Sequence, residues 1–125
     1  MIIEEWLREL KEDPRAGEVG MYLIHNGVVR ATPRAAVREC RKDAGTVTGL
    51  VLSYDAAKAE EAAQDTLKLP GIVFVRYHIF EGRLNVGDDM MYVLVAGDIR
   101  PHVVGALDDF VGRLKTECVS ERELF

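Results

Sequence analysis

The stretch at residues 91–97, MYVLVAG, decides the fold, and DIRP at 98–101 follows it directly. An unbroken apolar run that ends in glycine predicts a central strand closed by a turn. Proline fixes φ and lacks an N–H, so it is favoured in a first helical turn, which predicts a helix over 101–116. The apolar spacing along this helix predicts one buried face, made of Val103, Val104, Leu107, Phe110, Val111 and Leu114.

The other elements follow from hydrophobic periodicity and from proline and glycine breakers. The remaining predicted helices are 2–13 and 55–69, and the predicted strands are 19–24, 46–53, 72–80 and 89–96. Asp55 is the expected N-cap of its helix. The last two strands should pair antiparallel across a turn at 81–88. This order predicts an α+β sandwich with a mixed or antiparallel sheet packed with helices.

The segment between the first two strands leaves two alternatives. HNG at 25–27 ends the first strand, and it suits either a tight hairpin turn or a bend into a loop. A proline-initiated, helix-like segment, PRAAVRECRKDAG, then occupies residues 33–45. Arg30 lies between the two, directly after a pair of valines.

Length and charge limit the possible functions. A chain of 125 residues predicts one domain, 1–125, and the 48% of hydrophobic residues suffices for a core. The net charge of −5 excludes a general binder of nucleic acid or membrane surfaces. No apolar run is long enough to span a bilayer, and the acidic start lacks the pattern of a signal peptide. A cytoplasmic protein is therefore expected.

Cationic side chains are the main chemical feature, because the common catalytic and nucleotide-binding motifs are absent. Arg30 follows a strand, and Arg100 begins the last helix. Lys115 lies near the end of that helix, and Arg122 lies in a short irregular tail. These side chains would converge on one anion only if the fold or a second subunit brings them together.

Histidines and cysteines form no metal-binding pattern. His25, His78 and His102 are well separated, and a lone histidine is more often structural or exposed than a ligand. Cys40 and Cys118 lack CxxC spacing and are expected to be reduced thiols. Neither a metal nor a cofactor is predicted.

Several motifs, taken in order, resemble the large, catalytic subunit of molybdopterin synthase, and the resemblance is nearly end to end. Gly27-Val28-Val29-Arg30 matches the family's Gly-x-Val-Arg signature, which ends a glycine-led strand. GRLNVGD at 82–88 matches its Gly-x-Leu-x-x-Gly-Asp turn, and Leu114-Lys115 matches the Leu-Lys end of its last helix. The motifs are individually unspecific, but their order and nearly gap-free spacing carry the resemblance.

The resemblance implies an α/β hammerhead fold and a sulfur-transfer enzyme of molybdenum cofactor biosynthesis. The family's substrate, cyclic pyranopterin monophosphate, receives two sulfurs from a thiocarboxylate on the C-terminal Gly-Gly of a small ubiquitin-like subunit. Two large subunits form a central homodimer with one small subunit at each end, giving a heterotetramer. By position, Lys115 would be the catalytic lysine, and Arg30 and Arg100 would bind phosphate or pterin. Arg122 and His102 complete the expected substrate-binding set.

The chain departs from the family pattern at the site itself. Ile99 replaces the histidine of the family's His-Arg pair, with His102 close by, and Arg122 stands at the second lysine. Arginine keeps the charge but does not act as a base or an amine nucleophile. Two hypotheses follow. The chain is either a working synthase subunit or a non-catalytic paralogue, acting as a dimeric binding or regulatory module for a ubiquitin-like partner.

Two further expectations concern assembly and ligand. Apolar residues fill almost every position of strands 72–80 and 91–96, more than one covered face requires, which predicts a symmetric dimer interface on this hairpin. An anion is expected near Arg100, because a helix N-terminus adds free N–H groups and the positive end of the helix dipole.

Overall fold

Two three-stranded antiparallel sheets form the framework of the computed structural model, which describes residues 1–38 and 45–125. The helices are α1 Ile2–Lys11, α2 Arg34–Arg38, α3 Ala56–Leu67 and α4 Arg100–Arg113, and α4 continues into a π-helical turn at Leu114–Cys118. The strands are β1 Met21–Val28, β2 Gly49–Tyr54, β3 Ile72–Ile79, β4 Gly82–Asn85, β5 Asp89–Gly97 and β6 Val119–Leu124. The strand orders are β1-β5-β3 and β4-β2-β6. The expected α+β fold is confirmed.

β5 is the central strand of the first sheet, and its residues 91–97 are all buried. Its alternate side chains face two layers of helices. Leu94 and Ala96 pack with Leu10 of α1 on one face, whereas Val93 and Val95 pack with α3 and α4 on the other. The apolar surplus of this strand is thus covered within one chain, so it gives no separate evidence for a dimer interface.

The second sheet joins the first through the same core. Leu50 and Leu52 of β2 are 4% and 1% exposed and pack in the cluster that contains Val93 and Phe110. The small side chains Ala59 and Ala62, both fully buried, form the packed face of α3. This shared core fixes the second sheet beside the C-terminal end of α4.

The predicted irregular tail and the predicted turn at 81–88 are wrong in part, because each contains a strand. β6 pairs with β2 from Tyr54↔Val119 to Gly49↔Leu124, and β4 pairs with the same strand on its other side. Neither edge strand has an apolar repeat, since β6 reads VSEREL and β4 reads GRLN. Backbone pairing with the apolar strand β2 therefore defines both.

The predicted end of the first strand is also wrong. β1 continues through Asn26 and Gly27 to Val28, because β5 extends far enough to pair with it, and the register shifts only after Gly27. Neither a hairpin turn nor a loop begins at HNG. In the helix-like segment that follows, α2 covers 34–38, and residues 39–44, with Cys40, lie outside the described part of the chain.

The helix after β5 forms as predicted, with one error in its buried face. Val103, Phe110 and Leu114 are fully buried, but Val104 is 45% exposed and Ala106 is buried instead. Ala106 lies three residues after Val103 and four before Phe110, so the packed stripe is narrower than the sequence suggested. Asp55 caps α3 as predicted, because its carboxylate accepts the N–H of Lys58 at 3.1 Å. Across 1–38 and 45–125, no helix is long and apolar enough to cross a membrane.

Candidate functional site

A cleft of about 250 Å³ opens where the two sheets meet. Its walls come from the C-terminal end of β1, α2, the π-helical turn and β6, and its apolar floor includes Leu50 and Met91. A water molecule occupies roughly 30 Å³ in the liquid, so the cleft has the size for a small molecule or the end of a peptide.

Four basic side chains line this cleft: Arg30, Arg34, Arg38 and Lys115. Arg34 is already engaged, because its guanidinium contacts Glu121 at 2.9 Å and its backbone N–H donates to the Glu123 carboxylate at 3.0 Å. Among the described residues, the Arg30 side chain donates to the Thr32 carbonyl alone, at 3.0 Å. Within the described residues, neither Arg30 nor Lys115 has a carboxylate within ion-pair distance. The cleft therefore offers cationic groups to an anion.

The π-helical turn places Lys115 at the cleft. Its two ends are anchored by Leu114 and Cys118, which are 0% and 5% exposed, whereas Lys115 and Thr116 face the cleft. The Thr116 hydroxyl donates to the Gly112 carbonyl at 2.9 Å. Cys118 is a free thiol, as predicted, and burial raises its pKa. Lys115 is thus an exposed side chain on a firmly anchored backbone.

Arg30 is positioned by the residue before it. Val29 is 4% exposed, its N–H donates to the Asp88 carbonyl at 3.0 Å, and its carbonyl accepts the Gly87 N–H at 2.8 Å. These bonds tie the Gly-Val-Val-Arg segment to the turn before β5. Two of the three sequence motifs that suggested the resemblance therefore contact each other in the fold.

Arg100 and His102 lie at the opposite end of α4 from Lys115. Fifteen residues separate Arg100 from Lys115, which corresponds to roughly 20 Å along a helix axis. His102 Nδ1 lies 2.8 Å from the Asp98 carboxylate, and this hydrogen bond, with that from the Ile99 N–H, lowers the pKa of Asp98. A single chain does not bring Arg100 or His102 to the cleft. Their convergence with Lys115 stays a prediction for an assembly.

Arg122 also lies apart from Lys115. It is an exposed residue of β6, and side chains alternate along a strand, so Arg122 is turned away from the cleft that its neighbours Glu121 and Glu123 line. It contributes instead to a second, more open depression beside Phe125, which shares Arg34, Arg38, Glu121 and Glu123 with the cleft. Of the residues predicted for the site, Arg30 and Lys115 are brought together, and Arg122 is not among the groups that line their cleft.

Sequence analysis missed three contributors to this region. Arg34 and Arg38 stand four residues apart, a spacing that puts both on one face of a helix and was the available signal. His25 was treated only as a lone histidine. Its Nε2 atom is buried and has no hydrogen-bond partner in the described structure, and burial followed by the charge of Lys115 lowers its pKa.

The lowered pKa of His25 makes stability depend on pH. The unfolded chain binds a proton at His25 more readily than the folded chain does, so stability is fully present above about pH 6.5 and is lost as the pH falls below that value. We expect His25→Phe to weaken this loss. Urea unfolding of both proteins at a series of pH values measures it, with His78→Phe as control because His78 is exposed. Equal slopes for wild type and His25→Phe would contradict the assignment.

Comparison with solved structures shows which known proteins share this fold. It is similar to molybdopterin synthase from Staphylococcus aureus, with a TM-score of 0.73 and 16% identity over 97% of this chain and 83% of that one. It is also similar to the molybdopterin biosynthesis MoaE protein from Burkholderia ambifaria, with a TM-score of 0.71 and 19% identity over 98% and 81% of the two chains. No family model and no curated protein sequence matches it.

A third similar structure is the complex of subunits 1 and 2 of the molybdopterin-converting factor from Helicobacter pylori. The TM-score is 0.67 and the identity 17%, over 100% of this chain and 80% of that chain. The chain therefore has a MoaE-like fold, and the resemblance stated from the sequence is confirmed at the level of the fold.

Proposed function

We propose that this chain acts in molybdenum cofactor biosynthesis as the catalytic subunit of a molybdopterin synthase. In the proposed reaction, sulfur passes from the C-terminal thiocarboxylate of a small ubiquitin-like partner to cyclic pyranopterin monophosphate. Lys115 is the proposed catalytic lysine, and Arg30 is the proposed contact to the phosphate or the pterin. The proposal includes no metal and no cofactor.

The observation that carries this proposal is the meeting of Arg30 and Lys115 in one cleft of a MoaE-like fold. They come from the two sequence motifs farthest apart in the chain, and each lies on anchored backbone. Both the phosphate and the thiocarboxylate are anions, which charge-assisted donors bind best. An amine beside them can transfer a proton or stabilise developing negative charge.

The proposed assembly is a homodimer of this chain with one small subunit at each end. A complex of two subunits is known for the Helicobacter pylori molybdopterin-converting factor, which supports a small partner here. A second copy is needed to bring Arg100 and His102 to the cleft. Large exposed apolar side chains, Ile99 and Val104, lie in the same end of α4 as Arg100 and suit a contact between copies.

The direct test mixes the purified chain with a thiocarboxylated small subunit and cyclic pyranopterin monophosphate, and measures the dithiolene product. Light scattering at roughly tens of micromolar tests the dimer, since an obligate interface persists at such concentrations. Product formation supports the enzyme. No product, under conditions in which a MoaE protein is active, refutes it.

The alternative proposal is a non-catalytic paralogue that binds a ubiquitin-like partner. The observation in its favour is that Arg122, at the family's second lysine, is turned away from the cleft, while Glu121 and Glu123 line it. A paralogue of this kind would bind the small subunit without forming product. Measuring binding and product in the same samples separates the two proposals.

Arg122→Lys tests how far the substitution at this position matters. We expect sulfur transfer to be unchanged or raised, because Arg122 is exposed and distant substitutions on the surface change free energies by about 0.5 kcal/mol or less. The measurement is the rate of dithiolene formation, with Arg30→Lys as the comparison that should lose activity, since lysine cannot reproduce a bidentate contact. A large loss in Arg122→Lys would place Arg122 in the working site.

A further inference from the structure

His25 is a half-buried side chain near the cleft, and one of its ring nitrogens has no hydrogen-bond partner in the described structure. Its Nε2 atom is occluded from solvent and has no hydrogen-bond partner there. Leaving a buried polar atom unpaired costs roughly 1–3 kcal/mol of folding free energy. Such an atom needs an explanation, and one explanation is a ligand that binds next to it.

Gly27 separates this atom from the cleft. Residues 25 and 27 of a strand point to the same face, and Gly27 lines the cleft. A Cβ at position 27 would lie 3.5 Å from His25 Nε2 and 3.2 Å from the Met91 side chain. Because residue 27 has no side chain, the space beside Nε2 is bounded by the side chain of Met91, which is fully buried but unbranched and adaptable.

The surroundings of His25 contain one positive group and no negative one. β5 presents Met91 and the opposing Val93, and both are apolar. Burial first, and then the charge of Lys115 on the π-helical turn, disfavour a proton on the imidazole. No other charged group in the described residues acts on the ring, including those of α4, which also packs against β1. An anion bound beside Lys115 offsets its positive charge, so the charge of Lys115 then no longer disfavours protonation of His25.

We propose that His25 is a proton-linked member of the anion site. When an anion binds in the cleft beside Lys115, the Met91 side chain shifts and uncovers Nε2. His25 then takes up one proton from solvent, and its Nε2–H donates to the anion beside Gly27. This inference deepens the proposed function and rests on it only in using the same cleft. It predicts that anion affinity rises as the pH falls, about tenfold for each unit by which the anion raises the His25 pKa.

Sulfate is the probe, because its charge is constant over the pH range in which histidine titrates. Calorimetry of sulfate binding to the full chain near pH 6, in two buffers of different ionisation enthalpy, measures the protons taken up. We expect uptake of a fraction of a proton by the wild type and none by His25→Phe. His78→Phe is the matched control, because His78 is an exposed residue of β3 that does not line the cleft, and it should keep the uptake.

Gly27→Ala tests the contact between His25 Nε2 and the anion without removing the histidine. The added methyl fills the space beside Nε2 while His25 remains. Its nearest contact is Met91 Cγ at 3.2 Å, so the buried Met91 side chain must shift by a few tenths of an ångström, and circular dichroism checks that the variant is folded. We expect weaker sulfate binding at low pH and a reduced uptake. Should His25→Phe fail to fold, NMR of the His25 ring in the wild type answers the question, since sulfate should raise its pKa.

The outcomes separate the inference from the proposed function. Two results would overturn the role of His25: sulfate binding that perturbs Lys115 without proton uptake, or proton uptake that persists in His25→Phe. Either result leaves the sulfur-transfer proposal standing. Proton-linked sulfate binding in a chain that forms no dithiolene supports His25 and refutes the enzyme. Absence of any sulfate effect on the cleft contradicts the inference, and the sulfur-transfer assay then decides the function independently.

Discussion

Lys115→Ala is expected to lower the rate of dithiolene formation by about a hundred- to ten-thousand-fold, the usual cost of losing a general acid or base. Lys115 is exposed, so the fold and the binding of the small subunit should survive its truncation. Single-turnover assays with the thiocarboxylated partner measure the rate. Circular dichroism and a binding assay check that the variant is intact.

Lys115→Arg sharpens this test, because it keeps the charge and loses the proton chemistry. A guanidinium stays protonated at any accessible pH, so we expect a loss almost as large as that of the alanine variant. Lys68→Ala, which removes an exposed lysine after α3, is the matched control and should be fully active. Unimpaired product formation by Lys115→Ala would show that another group does the chemistry.

Phe110→Ala is expected to cost about 3–5 kcal/mol of folding free energy, the usual range for removing a buried aromatic side chain. Phe110 is fully buried and packs edge-on against Tyr77, with ring centroids 5.8 Å apart. The substitution would leave a cavity between α4 and the sheet β1-β5-β3. Urea unfolding measures the loss.

Asp109→Ala is the control for this core prediction, because Asp109 precedes Phe110 on the same helix but is exposed. Its cost should be within about 0.5 kcal/mol, as for other surface substitutions. Equal costs for the two variants would mean that α4 packs with a different face in solution. A stable Phe110→Ala would equally contradict the buried stripe described here.

The parts of the fold that sequence predicted are those where hydrophobic pattern and local signals agree. The apolar run of β5, the proline at the start of α4 and the Asp55 cap each identify an element from nearby residues alone. β6 carries no such signal, since Ser120 and Arg122 alternate with two glutamates in a strand that is defined by its partner. Its pairing with β2 spans about seventy residues of chain, which local patterns do not encode.

Only the site residues that lie in recognisable motifs were predictable from the sequence. Arg30 and Lys115 came from the resemblance, and the structure places them in one cleft. Arg34 was hidden because its role depends on Glu121 and Glu123, which approach it only when β6 pairs with β2. The environment of His25 likewise depends on packing between β1 and the π-helical turn, which no spacing along the chain reveals.

The position of Lys115 depends on the number of residues in the π-helical turn at Leu114–Cys118, and not only on which residues they are. Such a turn holds one residue more than the α-helical path between the same anchors, and an α-helix rotates by about 100° for each residue. Deleting one residue from this turn would let α4 continue regularly, and it would swing Lys115 around the helix axis or shift β6 out of register with β2. Evolution can therefore exchange side chains along this segment more freely than it can change its length.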